Sequence, residues 1–179
     1  MLKKILIALA AIVLIFVVVV ALQPSDFRVE RTAIIAAPQA DVFAQVNDFD
    51  KWEAWSPWAK LDPEAKVAFE GPSEGEGSVM TWAGNDKVGE GKMTLTESRP
   101  SDLVKIKVDI VKPYEGTSTT SFAFKPDGDQ TAVTWSMDAH HNFMEKAFCL
   151  VMNGKKMMSD LMEKGLAQMK SVVESKSSG

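Results

Sequence analysis

The chain has 179 residues, of which 46% are hydrophobic and 25% charged, and this composition fits one globular domain better than two. Its net charge is −4 and its lysines and arginines form no basic stripe, so nucleic acid is not an expected partner. The single Cys149 excludes an internal disulfide. Two adjacent histidines without a CxxC or HExxH motif offer little for a metal, and we expect no cofactor.

The first element is the apolar run ILIALAAIVLIFVVVVAL at residues 5–22, which has no polar side chain. As a helix it would be roughly 27 Å long, close to the hydrocarbon thickness of a bilayer. A cleaved secretory signal is the competing interpretation, but its apolar region usually spans only about 7 to 15 residues. The run therefore predicts that residues 1–23 form an uncleaved transmembrane anchor.

The flanking charges bear on the orientation of this anchor. Lys3 and Lys4 precede the apolar run and favour a cytoplasmic N-terminus, although Arg28 and Arg31 follow on the other side. We expect a single-pass membrane protein whose domain, residues 24–179, lies on the non-cytoplasmic side. The linker to that domain is very short, so the folded part should lie against the lipid headgroups.

One strand and two short helices are predicted next. Residues 28–35 alternate apolar and charged side chains, as a half-buried strand does. Pro38 suits the first turn of a short helix, and a second helical turn carries Trp52 and Trp55 before Pro57 ends it.

From about residue 66 onward the pattern predicts six more strands. In residues 103–111 valine and isoleucine alternate with lysine and aspartate, which is typical of an antiparallel sheet with one wet face. The Pro-Asp-Gly at residues 126–128 indicates a hairpin, because Gly128 can take a positive φ.

The C-terminal segment predicts an amphipathic helix of about 20 residues, preceded by a shorter helix that ends near Asn153-Gly154. Its apolar stripe should pack on the concave face of the sheet. Gly165 falls on this stripe, where it permits close backbone approach or leaves room for another molecule. The stripe comprises Met144, Phe148, Val151, Met158, Leu161, Met162, Leu166, Met169 and Val173.

Several short motifs, together with this order of elements, carry a resemblance over residues 27–175. They are Asp48-Phe49 before Trp52, Trp55 and Ser56-Pro57-Trp58; Gly77-Ser78 before Trp82 and Gly84; Gly89, Gly91 and Met93; Val133-Thr134-Trp135 with Met137; and Gly165-Leu166 with Lys170. The chain resembles the START and birch-pollen-allergen superfamily, called SRPBCC, and within it bacterial polyketide cyclase or dehydrase-like proteins. The resemblance implies an α+β helix-grip fold, in which a curved antiparallel sheet wraps around a long C-terminal helix. It also implies an apolar cavity between the helix and the sheet.

The aromatic residues and methionines supply the candidate ligand contacts. Three tryptophans within seven positions carry roughly 450 to 750 Å² of surface, which must cover a core, a ligand or a membrane. We expect Trp52 to seal the seam between helix and sheet, while Trp55 and Trp58 border the cavity mouth. For each residue, plain core packing is the alternative. The predicted ligand contacts are Trp55, Trp58, Trp82, Tyr114, Trp135, Met158 and Met162.

Three functions are compatible with these features. The first is membrane-anchored binding of a small hydrophobic molecule, such as a lipid, isoprenoid or polyketide-like compound, between the sheet and the C-terminal helix. The second is a cyclase or dehydratase, although no catalytic motif is present; Asp109, Glu97 and His140 are its candidate acids and bases. The third is a protein-interaction module with a vestigial cavity. The sequence predicts no oligomeric state.

Overall fold

The computed structural model describes residues 1–113 and 115–177, with side chains to residue 175. Within these residues the helices are α1 (Leu2–Leu22), α2 (Gln39–Asn47), α3 (Trp52–Trp55), α4 (Phe143–Met152) and α5 (Gly154–Ser177), with a 3₁₀ turn at Phe49–Lys51. The strands are β1 (Asp26–Ile35), β2 (Lys66–Glu70), β3 (Val79–Ala83), β4 (Glu90–Arg99), β5 (Leu103–Lys112), β6 (Gly116–Asp127) and β7 (Gln130–His140).

The seven strands form one antiparallel sheet in the order β1-β7-β6-β5-β4-β3-β2. Strands adjacent in the chain pair from β2 to β7, and β1 completes the sheet beside β7. The hairpin between β6 and β7 turns at Gly128, whose φ of +60° suits glycine. The predicted α+β helix-grip fold is confirmed, including the two short helices after β1.

The helix α1 presents its apolar side chains to the outside over almost its whole length. Val20, near its C-terminal end, is the buried exception among its residues. By length and composition α1 is the one described helix that could cross a membrane. The apolar N-terminal helix predicted from the sequence is therefore present.

The long helix α5 lies on the concave face, mainly over β1. Its inner stripe contains Met162, Leu166, Met169 and Val173, all buried. The short helices α2 and α3 lie beside it and supply further core residues, including Val42, Val46 and Trp55. Burial of apolar area in this layer, at about 25 cal/mol per Å², is the main force that holds α5 on the sheet.

The helix α4 departs from the sequence prediction. It begins with a capping box of Asn142 and Glu145 and ends at Asn153, so the predicted break between the two helices is confirmed. None of its ten described residues is buried, however. The expectation that Met144, Phe148 and Val151 pack on the sheet is wrong, because the break at Asn153 lets α4 leave the direction of α5 and turn these residues outward.

Candidate ligand-binding site

One half of the concave face is filled by a cluster of aromatic rings. Trp135 on β7 stacks on Phe122 on β6, with ring centroids 4.7 Å apart. Trp55 meets Trp135 edge to face at 5.8 Å, and Trp58 reaches the same ring at 5.9 Å. Trp52 lies 4.6 Å from Trp55. Stacked and edge-to-face contacts of this kind stabilise the fold beyond the burial of the rings. Because the rings contact one another directly, this half of the face is filled by the protein's own side chains, and we call it the filled half.

Three of the indole N–H groups in this cluster donate a hydrogen bond to an acceptor inside the protein. Trp52 donates to the Val46 carbonyl at 3.1 Å, and Trp55 donates to the Gln45 carbonyl at 3.0 Å. Trp135 Nε1 donates to Thr120 Oγ1 at 2.6 Å. Each ring is therefore held in one orientation, because breaking a buried hydrogen bond is costly.

Gly165 brings the backbone of α5 close to this cluster. A Cβ atom at Gly165 would lie 2.8 Å from Cζ3 of Trp135 and 3.0 Å from Cδ of Pro57. Of the two roles predicted for this glycine, close approach is the one that the structure shows. The space that a side chain at this position would need is occupied by Trp135 and Pro57.

The other half of the concave face is only partly covered. The strand register places on it a set of apolar side chains that pack against the core yet stay partly exposed. At its outer edge, Val67 and Phe69 of β2 are about half exposed, at 48% and 50%. The partly exposed set is Met80, Trp82, Ile110, Met137 and Ala139. An apolar surface that its own helix leaves uncovered is suited to an apolar ligand.

Trp82 is fixed in this open half by a glycine beneath it. A Cβ atom at Gly91 would lie 2.5 Å from Cζ2 and 2.6 Å from Cη2 of Trp82, so the indole lies over a bare stretch of β4. Its Nε1 donates to the Val88 carbonyl at 3.0 Å. The ring thus forms a fixed wall of the open half rather than a mobile side chain.

A surface cleft of about 620 Å³ lies at the rim of this half, between the start of β6 and the start of α4. It is lined by Ser25, Gly116, His141, Phe143, Glu145 and Lys146, among others. The cleft is close to the point where α1 joins β1. Its mixed lining contrasts with the apolar residues of the concave face.

The surroundings of two side chains, His141 of the cleft and Cys149 of α4, shift their pKa values. Burial lowers the pKa of His141, and the Glu145 carboxylate partly opposes this effect. Burial also raises the pKa of the Cys149 thiol, which favours an inert thiol over a reactive thiolate.

The three candidate groups for catalysis point away from the concave face. Asp109 bonds Lys107 and Thr117 on the convex side, and Glu97 pairs with Lys105 at 2.6 Å. Burial acts to raise the pKa of the Asp109 carboxyl, but the hydrogen bonds from Lys107 and Thr117, together with the positive charges of Lys107 and Lys92, lower it on balance. His140 is exposed and contacts Asp26 at 3.0 Å. In this arrangement none of the three reaches a ligand on the concave face.

The predicted ligand contacts divide between the two halves. Trp55, Trp135 and Met162 are completely or almost completely buried in the filled half, where Trp58 is only half-buried. Met158 and Trp82 are partly exposed and pack on the edge of the core. Tyr114 lies outside the described residues. Ligand contact by any of these residues stays a prediction.

Sequence reasoning missed other members of the open half. Met80, Ile110 and Met137 lie on inward positions of β3, β5 and β7, which are three of the strands that the sequence predicts. The alternation assigns these residues to a face of the sheet. It does not show which part of that face α5 leaves uncovered, because that depends on the direction of the helix.

Comparison with protein families gives a match over residues 26–174 to the family described as polyketide cyclase / dehydrase and lipid transport. Comparison with curated proteins gives no match.

Solved structures of similar fold share little sequence with this chain. The di-domain ARO/CYC StfQ from the steffimycin biosynthetic pathway has a TM-score of 0.62 at 14% identity, covering 87% of this chain and 52% of that chain. Protein Ms6760 from Mycobacterium smegmatis has a TM-score of 0.58 at 15% identity, covering 83% and 92%. Protein CV1439 from Chromobacterium violaceum has a TM-score of 0.57 at 13% identity, covering 85% and 99%. At these identities the likeness is one of fold.

Proposed function

Because this chain belongs to the polyketide cyclase / dehydrase and lipid transport family, we propose that it binds a small hydrophobic molecule at the open half of its concave face while α1 anchors it in a membrane. In this proposal residues 1–23 are the anchor and residues 24–179 the binding domain. The ligand is a lipid, an isoprenoid or a polyketide-like compound, and the domain lies on the non-cytoplasmic side.

The observation that carries the proposal is the uncovered apolar surface beside Trp82. The partly exposed inward residues of β3 and β5 in this region are apolar: Met80, Trp82 and Ile110. Met93 and Val108, next to Met80 in the strand register, are apolar and buried. Ser118 of β6, opposite Val108, adds a hydroxyl group to the face. Such a wall, apolar with few polar groups, suits a ligand that is mostly hydrocarbon.

The site supports binding more than chemistry. An acid–base mechanism requires a titratable group within hydrogen-bond reach of the substrate. Asp109, Glu97 and His140 instead have partners on the convex side or in solvent. We therefore favour the binding function over the cyclase or dehydratase alternative.

The test uses the full chain in liposomes that contain a fatty acid with a photoreactive diazirine in its acyl chain. After illumination, mass spectrometry of the peptides should find adducts on β3 and at the start of α5. The variant Met158→Trp fills the space beside the core, so its adduct yield on β3 should fall by about tenfold, equivalent to roughly 1.4 kcal/mol.

The matched control is Met157→Trp, which adds the same ring at the neighbouring, more exposed position of α5. Its β3 adducts should stay at the wild-type level. Equal adduct yields for both variants, or no β3 adducts in the wild type, would contradict the proposed binding site.

A further inference from the structure

The outward face of α4 is apolar, which is the reverse of an amphipathic helix on a soluble domain. Met144 and Val151 are 73% and 68% exposed, and Phe148 is exposed on the same side. Residues three and four apart share one face of a helix, so these side chains form a continuous strip. Exposed apolar patches of this kind mark contact sites.

The polar groups of α4 are used within the protein. The Glu145 carboxylate accepts a bond from the backbone N–H of Asn142 at 2.7 Å, closing the capping box. Lys146 Nζ donates to the carbonyls of Ala21 and Gln23 at 3.4 and 3.2 Å. These carbonyls belong to the C-terminal end of α1, whose last carbonyls have no partner within the helix.

The packing of α1 on α4 fixes how deep α4 would lie in a bilayer that α1 spans. Among the described elements, α4 is the main partner of α1, and Val20 is the residue of α1 that is completely buried. Val20 lies two residues before the end of α1, which corresponds to about 3 Å along the axis. If α1 spans a bilayer, α4 lies at the level where the hydrocarbon meets the headgroups.

We propose that α4 is an interfacial helix that inserts its apolar face into the bilayer surface beside α1. This inference rests on the proposed function for its anchor and adds a second membrane contact. Helices of this type bury their apolar face about 5 to 10 Å into the boundary between headgroups and acyl chains. The bilayer is preferred to a protein partner because α1, which packs on α4, is apolar on all its exposed sides from residue 5 to residue 22.

The membrane contact of α4 also explains the position of the rim cleft. Phe143 and Lys146 of α4 line that cleft, and Gly116 on its other side begins β6. With α4 in the interface, the cleft opens at the lipid surface. A hydrophobic molecule then reaches the open half of the concave face from the bilayer without crossing water.

The test places one fluorescent label at a time in the full chain, reconstituted in phosphatidylcholine liposomes. The background is Cys149→Ser, with folding checked by circular dichroism. An environment-sensitive dye is attached to Met144→Cys or Val151→Cys, and lipids with a nitroxide near the top of the acyl chain act as quenchers. Both labels should lose at least about twofold more fluorescence than a label in water, since contact with the nitroxide requires insertion.

Two control positions make the outcomes distinct. Asp129→Cys lies in the β6–β7 hairpin, at the end of the sheet opposite to α1, and its label should stay unquenched by the lipid. Ile12→Cys lies in the middle of α1, and its label should be quenched by nitroxides deep in the acyl chains.

Quenching at Ile12 without quenching at Met144 and Val151 would overturn the interfacial role of α4 while leaving the anchor intact. No quenching at Ile12 would overturn the anchor itself. Labels on α4 that are shielded from aqueous iodide but not quenched by lipid would indicate a protein partner or a second copy instead. If Cys149→Ser does not fold, the wild-type chain with a photoreactive phospholipid gives the same test, read as adducts on Phe143–Met152.

Discussion

The aromatic residues on the concave face differ in what surrounds their rings. Trp135 and Trp55 are enclosed by other rings, whereas Trp82 lies over Gly91 with its outer side partly exposed. The enclosed indoles serve stability, because each fills a space that no other side chain occupies. Trp82 is partly exposed, and this difference separates the core from the candidate site.

Trp55→Ala should lower the free energy of unfolding by about 3 to 5 kcal/mol, because it removes a completely buried ring and leaves a cavity. The measurement is chemical denaturation of the full chain in detergent, followed by near-UV circular dichroism. Trp58→Ala is the matched control, and it should cost clearly less because its ring is only half-buried. Equal losses would show that Trp55 is not enclosed as described.

Among the elements, α4 and α5 are consecutive helices with opposite roles. The helix α5 turns its apolar stripe inward and holds the sheet, while α4 turns its apolar side chains outward and joins α1 through Lys146. The left-handed conformation of Asn153, with φ of 50°, separates them. A change of direction at one residue therefore distinguishes a core helix from a surface contact.

Gly165→Ala should destabilise the protein although alanine is normally favoured over glycine in a helix by about 1 kcal/mol. The new methyl group would meet the Trp135 ring and Pro57, and overpacking of this kind costs about 1 to 3 kcal/mol. The midpoint of thermal unfolding of the full chain should therefore fall. An increase would mean that α5 lies further from the sheet than described.

As a whole, the molecule combines a filled half and an open half on one face of the sheet. The filled half lies under α2, α3 and the middle of α5, and the open half lies near α4 and the junction with α1. The residues that stabilise the fold and those of the proposed binding site thus lie in different parts of the same concave face. This separation allows the open half to remain uncovered without loss of the core.

The stability of the whole molecule should depend on pH through His141. Burial lowers the folded-state pKa of this histidine below its unfolded value of about 6.5. The unfolded chain therefore binds the proton first as the pH falls. The contribution of neutral His141 to stability is complete above about pH 7 and is progressively lost below about pH 6.5.

His141→Phe keeps a ring against Phe27, whose centroid lies 4.7 Å from that of His141. Its free energy of unfolding should change less between about pH 7 and 5.5 than that of the wild type. His140→Gln keeps His141 and should retain most of the wild-type slope. A wild-type slope in His141→Phe would assign the pH dependence to other groups.

The sequence by itself determined the type and order of the elements. An uninterrupted apolar run at residues 5–22, alternation in the strands and a periodic stripe in residues 158–173 are local patterns, and local periodicity fixes which side of an element is apolar. The motifs around Trp52, Trp55 and Trp82 extended this to the family and its helix-grip fold.

Only the tertiary structure decided which apolar sides meet each other. Met144 and Val151 fit the same periodicity as Met162, yet they are exposed while Met162 is buried. The difference arises because packing depends on the direction that each helix takes after Asn153, and periodicity carries no information on that direction. For the same reason the sequence could name Trp55 and Trp82 together, but only the packed fold separates a filled half from an open one.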